Sequence, residues 1–261
     1  MMHLVPDRGT AGDLEEPLAG GNMAGEVRRV GNTVRRRARP WTPAVHRLLR
    51  HLEQLGFGGA PRALGIDARE REILTYIPGR VVHPNVLDDS ELARVARLIR
   101  DYHVAVASFV PPPDAQWHTD GRDPSDVEEI ICHNDLAPWN LIATDEQWVF
   151  IDWDLAAPGR RLWDLALPAF SFVPLLPEHT KVMPRYRVFC DAYGLSAADQ
   201  FRLLDLVVER TRRMRNVLLD NANHEPYASL VRDGHAETWR HAAQHVEQNI
   251  ALWRRHLASG L

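Results

Sequence analysis

The stretch from Ile130 to Asp154 constrains this chain most. It reads Ile130-Ile-Cys-His133-Asn-Asp135-Leu-Ala-Pro-Trp-Asn140-Leu-Ile and, after a polar link, Trp148-Val-Phe-Ile-Asp152-Trp-Asp154. Asp135 is a loop carboxylate able to accept a hydroxyl proton. Asn140 and Asp152 supply hard oxygen donors of the kind Mg²⁺ prefers. Phosphoryl transfer needs this combination: a base at the nucleophile and metal ligands across a triphosphate. Asp and Asn also favour turns, so loop capping is the alternative reading of all three.

The rest of the chain divides around this segment. Residues 1–16 are polar and without period, and read as a loose tail or a poorly anchored first strand. Leu18 to Gly25 is a glycine-rich turn. Glu26–Val30 and Thr33–Arg36 are extended runs joined by Gly31-Asn32, a hairpin signal. Thr42-Pro43 opens a helix with Thr42 as the expected cap, and Val45, Leu48, Leu49 and Leu52 follow helical spacing. Two further strands are expected at 62–66 and 72–77, ended by Pro78-Gly79. From there the pattern is helical: 89–106, 162–172, 182–193, 197–219 and 236–257. The expected domains are a tail (1–16), a small β-rich lobe (17–78) and a helical lobe (79–261).

Charge narrows the partners. Lys+Arg is 31 against Asp+Glu 35, a formal net charge of -4. That weighs against nucleic acid, and the basic run Arg35 to Arg39 is read as following a hairpin instead. No apolar run is long enough to span a membrane, and no signal pattern opens the chain. The two cysteines, Cys132 and Cys190, are far apart, which fits a reducing cytoplasm. The expectation is a cytoplasmic protein without nucleic-acid or membrane partners. Oligomeric state leaves no mark. His235, His241 and His245 are expected on a solvated helix face, and Cys132 as a buried thiol beside His133.

The Ile130–Asp154 segment resembles the catalytic loop of the protein-kinase-like fold, most closely its aminoglycoside phosphotransferase branch of small-molecule kinases. Trp163-Asp164-Leu-Ala166 is similar to a later element of that branch. The resemblance implies an α+β, two-lobed fold: a small antiparallel sheet with one helix, then a larger, mainly helical lobe. It implies Mg-dependent transfer of the γ-phosphate of ATP or GTP to a hydroxyl of a small molecule, either an antibiotic or a metabolite. By position, Asp135 matches the catalytic base, and Asn140 and Asp152 the metal ligands. His133 matches a histidine that steadies the loop, and Asp164 is read as structural. Thr75 (carbonyl) and Ile77 (amide) match the backbone groups that hold the base.

The departures are specific. The family's phosphate-binding lysine belongs on the third strand, where this chain has only arginines. Lys181, the sole lysine, lies in the helical part. Arg35 is the expected replacement and Arg36 the runner-up; in a strand the two point to opposite faces. The following helix has no carboxylate before Glu53 to partner that cation, and the glycine turn is degenerate. The alternative is therefore a catalytically weak or inactive kinase-like protein that binds nucleotide or a partner. Trp139 and Trp153 either line the acceptor pocket or pack.

Overall fold

Gly31, at φ 57, and Asn32 fold β2 (Val27–Val30) back on β3 (Thr33–Arg37). A computed structural model describes residues 15–18, 26–179 and 182–259. The hairpin is extended on one side by β1 (Glu15–Leu18) and on the other by β5 (Arg71–Thr75) and β4 (Ala63–Ile66). The result is an antiparallel sheet in the order β1-β2-β3-β5-β4. Glu15 and Glu16, the end of the stretch read as a loose tail or a poorly anchored first strand, are thus the start of β1. The glycine turn at 20–25 and Lys181 lie outside the described residues.

One helix, α1 (Thr42–Gln54), follows β3 and buries Val45, Leu48, Leu49 and Leu52. Each side chain of that size contributes about 1.5–3 kcal/mol when withdrawn from water. Its cap is Trp41, not Thr42: Thr42 begins the helix, and its hydroxyl accepts from the Arg39 amide at 2.8 Å.

The chain then leaves the sheet through Pro78-Gly79. Gly79 has φ +148, and a Cβ there would come within 2.7 Å of Ile142 Cγ2 and 2.9 Å of the Ala143 carbonyl. Only glycine passes at this point. A short β6 (Arg80–Val81) pairs with β8 (Leu141–Ala143), which pairs with β9 (Trp148–Phe150). A separate ribbon joins β7 (Ile130–Cys132) to β10 (Ala157–Gly159). The helices are α2 (Asp89–Val106), α3 (Arg161–Ser171), α4 (Val182–Tyr193), α5 (Ala197–Asp220), α6 (Tyr227–Arg232) and α7 (His235–Ala258). Asp88 and Glu91 form a reciprocal capping box at the start of α2.

This is the expected α+β plan: a small antiparallel sheet with one helix, then a mainly helical remainder. The apolar core does not respect the division at Pro78-Gly79. One buried cluster runs from Leu48 and Leu52 of α1, through Ile99 and Trp163, to Trp253 and Leu257 of α7. No helix among the described residues is long and apolar enough to cross a membrane.

Candidate active site

Asn134 and Asp152 are two of the three described non-glycine residues with positive φ, at 63° and 61°. Each left-handed turn redirects the chain at the end of a short strand, after β7 and after β9. Asn and Asp tolerate this conformation better than most residues. The turns leave Asp135 and Asp152 on adjacent loops, joined where the Ile151 amide donates to the Asn140 carbonyl at 2.8 Å.

Asp164, in the first turn of α3, fixes the first loop from below. Its carboxylate accepts from the amides of His133 (2.9 Å) and Asn134 (2.7 Å), and pairs with His103 Nε2 at 3.1 Å. Burial alone would raise its pKa, but the hydrogen bond and charge of His103, with the backbone donors, hold it below the usual value. His133 Nδ1 accepts from the Asp135 amide at 3.2 Å. Burial lowers the pKa of this fully enclosed imidazole.

Asp135 is half-buried and tied to Asn140, whose Nδ2 donates to Asp135 Oδ2 at 2.6 Å and to its carbonyl at 3.1 Å. Burial and the neighbouring Asp152 push the Asp135 carboxyl up to about 6, against the opposing pull of Arg210, Asn140 and Trp139. Trp139 reaches Asp135 with its indole N–H at 3.5 Å and stands edge-on to His83. Trp153 is 2 % exposed, donates to the Phe150 carbonyl and packs on His133 at 4.5 Å. Of the two tryptophans left open by sequence, Trp153 belongs to the core and Trp139 to the rim of the site.

The cation beside Asp152 is Arg36, not Arg35. Arg36 Nη1 donates to Asp152 Oδ1 at 2.9 Å, Nη2 to Asp154 Oδ1 at 2.6 Å and Nε to Glu72 Oε1 at 2.6 Å. Arg35 points to the other face of the sheet and lies 3.4 Å from Asp67. Burial works against charging Arg36, but Asp154, Glu72 and Asp152 together hold its guanidinium ionised. Burial likewise works against the Glu72 carboxylate, and Arg36 and His46 bring its pKa below the usual value. Burial carries Asp154 to about 6 despite Arg36.

The carboxylate missing from α1 therefore comes from β5. Glu72 stands opposite Arg36 in the β3–β5 register and is 1 % exposed. Its second oxygen meets His46 Nε2 of α1 at 3.0 Å. Helix and sheet are thus linked through Glu72, which pairs with both Arg36 of β3 and His46 of α1. Register counting alone could have found Glu72; nothing local marks Asp154.

Thr75 and Ile77 line a recess of about 310 Å³ with Leu49, Glu53, Phe57 and Gln147. None of Arg36, Asp135, Asn140 or Asp152 borders it. The Thr75 amide is committed to the Arg62 carbonyl at 3.0 Å.

Arg210, which the sequence does not flag, lies under the catalytic loop. It is 1 % exposed and comes from α5. Nη1 donates to the Gly121 carbonyl at 3.1 Å, Nη2 donates to the Asn134 carbonyl, and the guanidinium sits 5.2 Å over the Trp163 ring. Cys132 is fully buried, with burial raising its thiol pKa well above normal. His241 is exposed beside Glu237.

Asn140 Oδ1 and Asp152 Oδ2 have no protein partner among the described residues. Two free hard oxygens fit a divalent cation that arrives with phosphate oxygens and water in its other positions. Among the described residues no group of three or more His, Cys, Asp or Glu side chains forms a metal cage.

A small sheet on a helical body, with Asp135, Asn140, Asp152 and Arg36 gathered where they meet, is the plan of a kinase-like phosphotransferase. Residues 113–204 match the model of the Phosphotransferase enzyme family. The chain is 33% identical over 205 residues to the trifolitoxin immunity protein of Rhizobium leguminosarum bv. trifolii, covering 73% of this chain and 78% of that protein. The chain belongs to this phosphotransferase family. Its fold is shared with a choline/ethanolamine kinase family protein from Mesorhizobium loti (TM-score 0.62, 16% identity, 95% of this chain and 94% of that one). It is also shared with the amicoumacin kinase hAmiN, solved with AMP-PNP, Ca²⁺ and Ami (TM-score 0.66, 13% identity, 95% and 90%).

Proposed function

We propose that this protein transfers the γ-phosphate of ATP or GTP, with Mg²⁺, to a hydroxyl of a small molecule. The observation that carries this reading is the Asn140–Asp135 contact of 2.6 Å beside the Arg36–Asp152 contact of 2.9 Å. Base, oxygen donors and phosphate-side cation thus form one connected cluster.

Asp135 receives the proton of the acceptor hydroxyl. Its pKa of about 6 keeps it ionised near neutral pH yet basic enough to take up a proton as the oxygen attacks. Asn140 holds the Asp135 carboxylate in place through Nδ2; Asn140 Oδ1 and an Asp152 oxygen would hold the metal. The metal, when bound, offsets phosphate charge as the γ-phosphoryl group leaves. Arg36 supplies guanidinium donors to the phosphates, and Glu72 and His46 set its direction. Thr75 and Ile77 contribute backbone groups to the base.

The relative named for trifolitoxin immunity supports a protective role, in which the acceptor is a hydroxyl-bearing toxin or antibiotic inactivated by phosphorylation. A second reading, nucleotide binding without turnover, is favoured by one observation: each of the three nitrogens of Arg36 already donates to a carboxylate, leaving two of its five N–H groups for phosphate. Incubation with Mg-ATP or Mg-GTP and a panel of hydroxylated acceptors, read by mass, separates the two. Product that disappears with EDTA and returns with Mg²⁺ supports transfer. Nucleotide binding without product from any acceptor supports the second reading.

A further inference from the structure

Between α2 and the loop that follows α1 lies a cavity of about 830 Å³. It is separate from the site above, since none of Arg36, Asp135, Asn140 or Asp152 lines it. Its apolar wall is made by Leu55, Phe57, Leu98, Val104 and Trp148. Gly59 shapes that wall. A Cβ there would come within 2.5 Å of the Phe57 ring and 2.7 Å of Leu98 Cδ1, so only glycine lets both side chains close over it. Leu55 and Val104 remain 53% and 65% exposed, and present apolar surface that the chain itself does not cover. Small-molecule pockets have this make-up: about 300–1,000 Å³ of mostly apolar wall with a few placed polar groups.

The placed polar groups are two arginines. Arg94 and Arg97 stand one turn apart on α2, and both line the cavity. Among the described residues neither is paired with a carboxylate. The acid on the same wall, Asp101, is engaged by Arg100 Nη2 at 3.0 Å. The Arg94 guanidinium lies over the Trp148 ring, 4.6 Å from its centroid. Stacking of this kind steadies the guanidinium against the wall and leaves its in-plane N–H donors free. In a chain of net charge -4, two unpaired cations beside an apolar wall mark a local reversal of sign.

We propose that this cavity is a second ligand site, for an amphiphilic anion: a carboxylate or sulfonate carried on an apolar ring system. The oxyanion takes the free donors of Arg94 and Arg97, whose planar forks match its geometry. The ring body covers Phe57, Leu98 and Val104 and removes their surface from water. The site does not depend on the phosphotransfer reading.

The test is calorimetric titration of the full chain with 2-naphthoate, 2-naphthamide and acetate. The amide keeps the rings and loses the charge; acetate keeps the charge and loses the rings. The wild type is expected to bind 2-naphthoate about 10-fold or more tightly than either of the others. Arg97→Gln is expected to lose about 10-fold in affinity for 2-naphthoate and little for the amide. Val104→Asp sets a carboxylate on the apolar wall and is expected to abolish binding of both. Arg97 and Val104 are exposed, so neither change threatens the fold, and thermal midpoints confirm it. Arg202→Gln, at an exposed arginine outside the cavity, is expected to leave every affinity unchanged and controls for a general loss of positive charge. No binding of 2-naphthoate, equal affinity for 2-naphthoate and its amide, or an affinity that survives both Arg97→Gln and Val104→Asp overturns the site. An equal loss in Arg202→Gln and Arg97→Gln overturns it as well.

Discussion

Arg36 Nη1 donates to Asp152 Oδ1 at 2.9 Å, a contact across 116 residues of chain that joins the sheet to the loop after β9. Its neighbour Arg35 goes to Asp67 on the opposite face. The two arginines therefore separate experimentally. Arg36→Ala is expected to abolish turnover and weaken nucleotide binding, whereas Arg35→Ala costs far less of either. Arg36→Ala also leaves Glu72, Asp152 and Asp154 without their shared cation. Removing one partner of a buried ion pair typically costs about 3–5 kcal/mol, so the urea midpoint should fall as well. Nucleotide titration and urea unfolding on both variants check this.

Glu72 stands between Arg36 and His46, with its two oxygens divided between them. Glu72→Gln is expected to lower kcat/KM, because it loosens the direction of Arg36 while leaving the base untouched. His46→Ala acts through the same carboxylate, so the two substitutions should combine non-additively. A coupling of about 0.5–3 kcal/mol in a double-mutant cycle is expected for such shared networks. Strict additivity would mean that α1 plays no part in holding the cation.

Asp164 gives a pH-dependent stability contribution. Its folded pKa lies below the usual aspartate value, because His103 and two backbone amides outweigh the penalty of burial. A carboxylate of this kind contributes stability above its unfolded pKa of about 3.9, and the contribution is lost as pH falls through the folded value. Asp164→Asn should therefore be markedly less stable than the wild type near neutral pH. The gap should narrow as pH drops below about 4. Urea midpoints measured from neutral to acid pH report it directly.

The candidate catalytic segment is legible in the sequence because its residues are close in the chain. Asp135, Asn140 and Asp152 lie within a short stretch in which left-handed turns select Asn and Asp. Five of the helices from Asp89 onward were legible by period; the six-residue α6 is too short to show one. What escaped was long-range. Strand alternation says that Arg35 and Arg36 face apart, but not which face meets Asp152; only the pairing of β3 with β5 decides that. Glu72 supplies the carboxylate absent from α1 because it sits across the sheet from Arg36, not near it in sequence. Arg210 lies among Arg212, Arg213 and Arg215 on one helix, and nothing in that spacing says which of them turns inward. The strands β6, β8 and β10 have two or three residues each, too few for periodicity to register.

The most direct measurement is phosphotransfer by the wild type and Asp135→Asn, compared under the same Mg-nucleotide and acceptor conditions. The substitution preserves shape and removes the proton acceptor. Product is expected from the wild type, with a loss of about 10²–10⁴-fold in kcat for Asp135→Asn and nearly unchanged nucleotide affinity. Equal turnover from the two proteins would contradict the assignment of Asp135 as the base.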